Sequence, residues 1–98
     1  MATNALSQDA IRDALSGLRG WEHNDDMLSK TYEFDSYLAG VAFAAAVATV
    51  AEGRDHHPDM LVTWRKVKVS FTTHDAGGKV TQKDVDAAQA MESLGYPV

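Results

Sequence analysis

Cysteine is absent from this 98-residue chain, which excludes disulfides and thiolate chemistry and leaves the redox compartment open. Basic charge is scarce too. Nine Lys and Arg stand against 14 Asp and Glu, giving a formal net charge of -5 and a pI near 5.1, so the chain lacks the basic footprint that nucleic acid or an anionic membrane requires. The one basic stretch, Arg65-Lys66-Val67-Lys68, reads as charges on the solvent face of a strand rather than as a polyanion site. Met1 to Ser7 has neither the basic start nor the apolar core of a secretory leader, and a cytosolic address is expected. Long hydrophobic runs are missing as well: Leu38 to Ala51 is apolar and alanine-rich but falls short of the roughly 18 residues of a membrane span. No serine lies in a nucleophile-elbow pattern, and Gly77-Gly78 is an isolated pair, not a phosphate loop.

The chain that remains is 45% hydrophobic. It is long enough for one domain over residues 1–98 with a small core, for which self-association would be an advantage. No repeat or linker interrupts it. Ser7 reads as an N-cap, and Ala10, Ile11, Ala14, Leu15 and Leu18 follow at helical spacing up to Gly17 and Gly20. Trp21 to His23 and Met27 to Phe34 read as strands around an Asn24-Asp25-Asp26 turn, with His23 as a solvated surface histidine. Asp35 or Ser36 caps a second helix, Tyr37 to about Glu52, ended by Gly53. Its apolar residues form two faces, Leu38, Val41, Ala45 and Ala48 on one and Phe43, Val47 and Val50 on the other. One face is expected to meet the chain's own sheet and the other a partner subunit. Met60 to Trp64 and Val67 to Thr72 follow as a tight hairpin with alternating burial. Thr81 and Asp84 form a capping box for a last helix whose stripe is Val85, Ala88, Met91 and Leu94, with Gly95 at its end. The order α-β-β-α-β-β-α predicts an α+β fold, a four-stranded antiparallel sheet with three helices on one face.

Chemistry concentrates between Glu52 and Asp84. Pro58 disfavours helical geometry at His57, so His56 and His57 are held on extended or turning backbone. His74 follows the second strand of the hairpin, and residues flanking a hairpin's two strands share one end of the sheet. All three imidazoles can therefore converge on one pocket, and an unperturbed imidazole titrates near 6.5, close to neutrality. Glu52 and Asp55 could orient them or stabilise their protonated forms. The same histidines with a carboxylate would suit zinc by ligand type, but adjacent residues seldom both reach one ion, so metal binding is the weaker reading.

Glu52, three residues, His56-His57-Pro58, five residues, Trp64, nine residues, His74, nine residues, Asp84: this pattern resembles the signature of the pterin-4a-carbinolamine dehydratase family, and the resemblance covers nearly the whole chain. It implies dehydration of a 4a-hydroxytetrahydropterin to the quinonoid dihydropterin, in the recycling of tetrahydrobiopterin, with no metal and no organic cofactor. That dehydration needs an acid and a base, and histidines near neutral pKa can be both: His56 and His74 are expected as proton donors to the departing hydroxyl, and His57 as ring contact and base. Asp55, Pro58, Thr72, Thr73 and Asp75 are expected to line the substrate site. Glu52 would orient the histidine loop, and Asp84 would steady His74 or the pocket wall. Trp64 is either such a wall or, as a strand residue, core. Some family members carry an aromatic residue where Met60 stands, which bears on the shape of the pocket rim. The expected assembly is a homodimer or homotetramer through the alanine-rich helix and a sheet edge. Animal members also serve as dimerisation partners of a homeodomain transcription factor, so a protein-interaction role is the alternative function.

Overall fold

The structure, a computed structural model, describes residues 4–95; Met1 to Thr3, part of the stretch read for a leader, and residues 96–98 lie outside the described residues. The elements are α1 (Gln8–Leu15), β1 (Glu22–Asn24), β2 (Met27–Glu33), α2 (Tyr37–Arg54), β3 (Asp59–Val62), β4 (Lys66–Phe71), a 3-10 turn (His74–Ala76) and α3 (Gln82–Glu92). The expected order and fold class hold. The strands form one antiparallel sheet in the order β1-β2-β4-β3, which makes β4 central and β3 an edge.

Alternation in β4 sets the layers. Val67, Val69 and Phe71 point to the helices, where they meet Leu28 and Tyr32 of β2, Phe43 and Val47 of α2, and Val85, Ala88 and Met91 of α3 in one core. Each large apolar side chain so buried contributes on the order of 1.5–3 kcal/mol. The other face of the sheet is polar and open, with Ser29 and Ser70 joined there by a hydroxyl–hydroxyl hydrogen bond of 2.8 Å. Gly40, buried on α2, faces β4: a Cβ there would lie 3.4 Å from the Val67 side chain, in ordinary van der Waals contact.

Local signals explain most element starts. The Ser7, Ser36 and Thr81 side chains accept from the backbone N–H groups of Ala10, Ala39 and Lys83, and the Thr81–Asp84 capping box is complete. Both faces read in α2 exist. Phe43 and Val47 are fully buried, whereas Leu38 is 76% and Val41 38% exposed, and Ala45 and Ala48 are exposed beside them.

Four local expectations change. Gly53 does not end α2; Asp55 does, in a left-handed conformation (φ 51°), while the N–H of His56 donates back to the Ala51 carbonyl at 3.1 Å. Aspartate tolerates that conformation better than most residues, so the helix runs on through Gly53 and Arg54 before it stops. Trp64 is not in a strand. It lies in the turn between β3 and β4, 70% exposed, with the Arg65 guanidinium 4.4 Å from its ring centre. His23 is half-buried on β1, facing the same side as its pair partner Leu28. The β1–β2 turn is carried by Asp25 and Asp26, both at positive φ, the two-residue geometry that matches strand twist.

Candidate active site

β4 runs out of the sheet into Thr72-Thr73-His74, and the chain enters β3 from His56-His57-Pro58, at the same end. Between the two segments lies a cleft of about 380 Å3, lined by all three histidines together with Asp55, Pro58, Thr72, Thr73 and Asp75. The three histidines meet as the hairpin argument expects, and the five other residues are those that the family resemblance implies at the substrate site. Asp59 and Lys83 line it as well. Sequence reading missed both; Asp59 adjoins Pro58, while Lys83 arrives only because α3 begins beside the cleft.

Each paired histidine is held by a carboxylate from a different helix. Asp84, in the first turn of α3, is fully buried and lies 2.6 Å from His56 Nε2. A carboxylate only accepts, so Nε2–H of His56 donates and Nδ1 is left to exchange protons. The His56 ring is nearly parallel to that of Phe71, with centres 5.7 Å apart, which fixes its plane from the other side. Glu52, in the last turns of α2, accepts in the same way from His57 Nε2–H at 2.7 Å, in a more exposed pair. The left-handed turn at Asp55 makes this division possible, because it separates the histidines from the helix that carries Glu52.

Of the two expectations for Asp84, His74 or the pocket wall, the contacts match the second: it holds His56 and Thr73 of the cleft and does not touch His74. Its second oxygen accepts from the Thr73 hydroxyl and the Thr81 N–H, both at 2.8 Å, and the Thr73 and Thr81 hydroxyls are themselves 2.7 Å apart. Thr73 is thus 2% exposed, its hydroxyl committed to this cluster. A buried charge is tolerable only when its lone pairs are satisfied in this way. His74 sits in the exposed 3-10 turn, and among the described residues its side chain has no hydrogen-bond partner. The Thr72 hydroxyl donates 2.9 Å to the Asp26 carbonyl of the β1–β2 turn. The Lys79 ammonium also reaches the Asp26 carboxylate at 2.9 Å, tying the histidine turn to the far hairpin.

Trp64 is neither core nor cleft wall. It occupies the opposite end of the β3–β4 hairpin, because the strands stop at Val62 and resume at Lys66. Among the described residues, no group of three or more His, Asp or Glu side chains is arranged to hold a metal ion, and no helix is long and apolar enough to cross a membrane.

The family described as pterin 4 alpha carbinolamine dehydratase matches residues 4–94. The chain belongs to that family. Among its relatives, a protein of Natronomonas pharaonis provisionally named as a pterin-4-alpha-carbinolamine dehydratase is 45% identical over 92 residues, which are 94% of this chain and 97% of the relative. A Roseiflexus protein with the same provisional name is 44% identical over 94 residues, 96% of this chain and 99% of the relative. The crystal structure of a transcriptional coactivator/pterin dehydratase from Brucella melitensis superposes with a TM-score of 0.85 at 29% identity, covering 93% of this chain and 98% of that one. The fold also matches a pterin dehydratase-like protein described as a RuBisCO assembly factor of the alpha-carboxysome, at a TM-score of 0.61 and 22% identity over 80% of this chain and 89% of that one. The dehydratase family thus includes a chain whose three cleft histidines lie on two segments at one sheet end, two of them oriented by carboxylates.

Proposed function

We propose that this chain, acting as one domain in the cytoplasm, dehydrates a 4a-hydroxytetrahydropterin to the quinonoid dihydropterin by histidine general acid–base catalysis, in the recycling of tetrahydrobiopterin. The observation that carries the reading is the pair of imidazoles, each with Nε2–H donated to a carboxylate, lining one cleft with a partner-free His74. The reaction removes a proton from N5, forms the C4a–N5 double bond and breaks the C4a–O bond. The departing oxygen takes a proton and leaves as water. One base and one acid are needed, and each well-placed proton transfer typically contributes on the order of a hundredfold.

His57 is the base: its Nδ1 accepts the N5 proton, and Glu52 stabilises the imidazolium that forms. His56 and His74 are the proton donors placed at the leaving hydroxyl, one of them giving the single proton it takes, His56 through Nδ1 with its charge balanced by Asp84. Asp55, Pro58, Thr72 and Asp75 contact the pterin ring, and Thr73 shapes the pocket through Asp84. Neither a metal nor an organic cofactor is required, because the N5 lone pair itself expels the hydroxyl from C4a and the only help needed is proton transfer at N5 and at the departing oxygen. The test is the ultraviolet absorbance of a freshly generated 4a-hydroxytetrahydropterin. Water loss should run well above the buffer rate with the wild type. No acceleration, or full activity after His57→Ala and His74→Ala together, would remove the assignment.

A second role, protein interaction, is favoured by one observation, the exposed apolar face of α2 with Leu38, Val41, Ala45 and Ala48. Self-association through this face and a sheet edge gives a homodimer or homotetramer, and the same surface would serve a dimerisation role toward a transcription factor. Ala45→Glu should lower the mass in solution; an unchanged mass excludes the α2 interface.

A further inference from the structure

His56 and His57 are each held by a carboxylate, whereas among the described residues the ring of His74 has no hydrogen-bond partner. Its place in the cleft is therefore set by the backbone that carries it. That backbone is a small closed loop. Its neck is the antiparallel bridge between Thr73 and Lys79, where the Thr73 N–H donates to the Lys79 carbonyl at 3.0 Å. Within it the N–H groups of Ala76 and Gly78 donate to the Thr73 carbonyl, both at 3.1 Å, and that of Gly77 to the His74 carbonyl at 2.9 Å. Gly77 and Gly78 lie at positive φ, which lets so short a loop close. None of these bonds fixes how the loop stands relative to the sheet.

The neck is tied down on two sides. Toward α3, the Thr73 hydroxyl joins the Asp84 cluster. Toward β1 and β2, both arms of the loop attach to one residue, Asp26 of the β1–β2 turn: the Thr72 hydroxyl donates to its carbonyl and the Lys79 ammonium to its carboxylate, each at 2.9 Å. Asp26 thus brackets the loop with one contact before His74 and one after it. The Lys79–Asp26 pair is half exposed, and such a pair adds little to stability. Its consequence is positional, because a misplacement of about 1 Å can cost on the order of a hundredfold in rate, and a histidine without a partner of its own takes up any shift of its loop.

We propose that Asp26 and Lys79 are positioning residues for His74, clamping its loop at the angle that puts the imidazole at the departing hydroxyl. The inference rests on the dehydratase reading and adds to it the β1–β2 turn, which contributes no residue to the cleft lining. The experiment measures kcat and KM for a 4a-hydroxytetrahydropterin with the wild type, Lys79→Met, Asp26→Gly, Lys79→Arg and Arg12→Met, and repeats Lys79→Met in a His74→Ala background, where His56 is the remaining donor. Glycine accepts the positive φ of position 26, and each variant loses at most a solvent-exposed pair, so all should fold. In Lys79→Met and Asp26→Gly, kcat should fall roughly three- to tenfold with KM changed less than about twofold, and Lys79→Arg should restore it. Arg12→Met, which breaks the exposed pair with Asp9 on α1, should leave kcat unchanged. With His74 already replaced, Lys79→Met should cost nothing further, since residues that act through one group are not additive. A kcat in Lys79→Met equal to the wild type's, a matching loss in Arg12→Met, or the same proportional loss with and without His74 overturns the clamp and leaves the dehydratase reading standing. A wild type no faster than buffer overturns that reading, and the clamp's role with it.

Discussion

Helix α3 carries a carboxylate hub near each end, and the two are alike in hydrogen bonding and unlike in consequence. At its start, Asp84 accepts from the Thr81 N–H, the Thr73 hydroxyl and His56 Nε2–H. At its last residue, Glu92 accepts from the Tyr32 hydroxyl at 2.6 Å, the Lys30 ammonium at 2.9 Å and the Trp21 indole N–H at 3.1 Å. Tyr32 and Trp21 offer Glu92 terminal groups, and the Lys30 ammonium goes on only to the Arg19 carbonyl at 3.0 Å, so that hub ties α3 to β2 and the turn before β1. Among the donors to Asp84 is an imidazole with a second nitrogen at the cleft. What a carboxylate does is decided by the far side of the group it holds.

The largest effect should come from breaking the hub near the start of the helix. Asp84→Ala leaves buried donors unpaired and is expected to cost about 3 kcal/mol, lowering the melting temperature by roughly 15 °C, with activity lost even where the protein is folded. Thermal melts and dehydration assays below the transition check both parts. Glu92→Ala strands the buried Tyr32 hydroxyl and Trp21 N–H, for about 2 kcal/mol, while kcat/KM per folded molecule stays at the wild-type value. A loss of kcat/KM in Glu92→Ala would break the distinction.

Titration sharpens the same contrast. Burial alone would raise the carboxyl of Glu92, but the hydrogen bonds from Tyr32, Lys30 and Trp21 and the charge of Lys30 outweigh it and hold it below its ordinary 4.5. The unfolded chain then binds the proton first, so this stabilisation is complete above about pH 4.5 and is lost as pH falls further. Burial, then the hydrogen bond to Glu92 and its negative charge, push the Tyr32 hydroxyl far above its ordinary 10.0. There the unfolded chain loses its proton first, and stability falls as pH rises past about 10. Denaturant melts across pH should show both limbs, with Glu92→Gln flattening the acid one and Tyr32→Phe the alkaline one. The smallest effect belongs to Glu52→Gln. Its pair with His57 is exposed, so stability should move by less than about 0.5 kcal/mol, while turnover drops several-fold; unchanged turnover would detach Glu52 from the chemistry.

These contrasts also mark what could be seen in the residues alone. The Thr81–Asp84 box was legible because its partners are three positions apart, but the bond from Asp84 to His56 spans 28 residues and exists only once α3 packs beside the histidine loop. Glu92 was invisible for the same reason, since its partners lie at positions 21, 30 and 32. The cleft itself was legible, because a hairpin must return His74 to the end of the sheet that His56 and His57 occupy. Trp64 misled because its β propensity could not reveal that the strand stops at Val62. Gly53 misled because Asp55 took the left-handed position two residues later.

The most direct measurement is the rate of water loss from a freshly generated 4a-hydroxytetrahydropterin at equal folded concentrations of wild type, Glu92→Gln and Asp84→Asn. Wild type and Glu92→Gln should accelerate it alike, far above buffer, with Asp84→Asn slower by at least about tenfold. A wild type no faster than buffer, or an Asp84→Asn variant as fast as the wild type, would contradict a site built on an oriented His56.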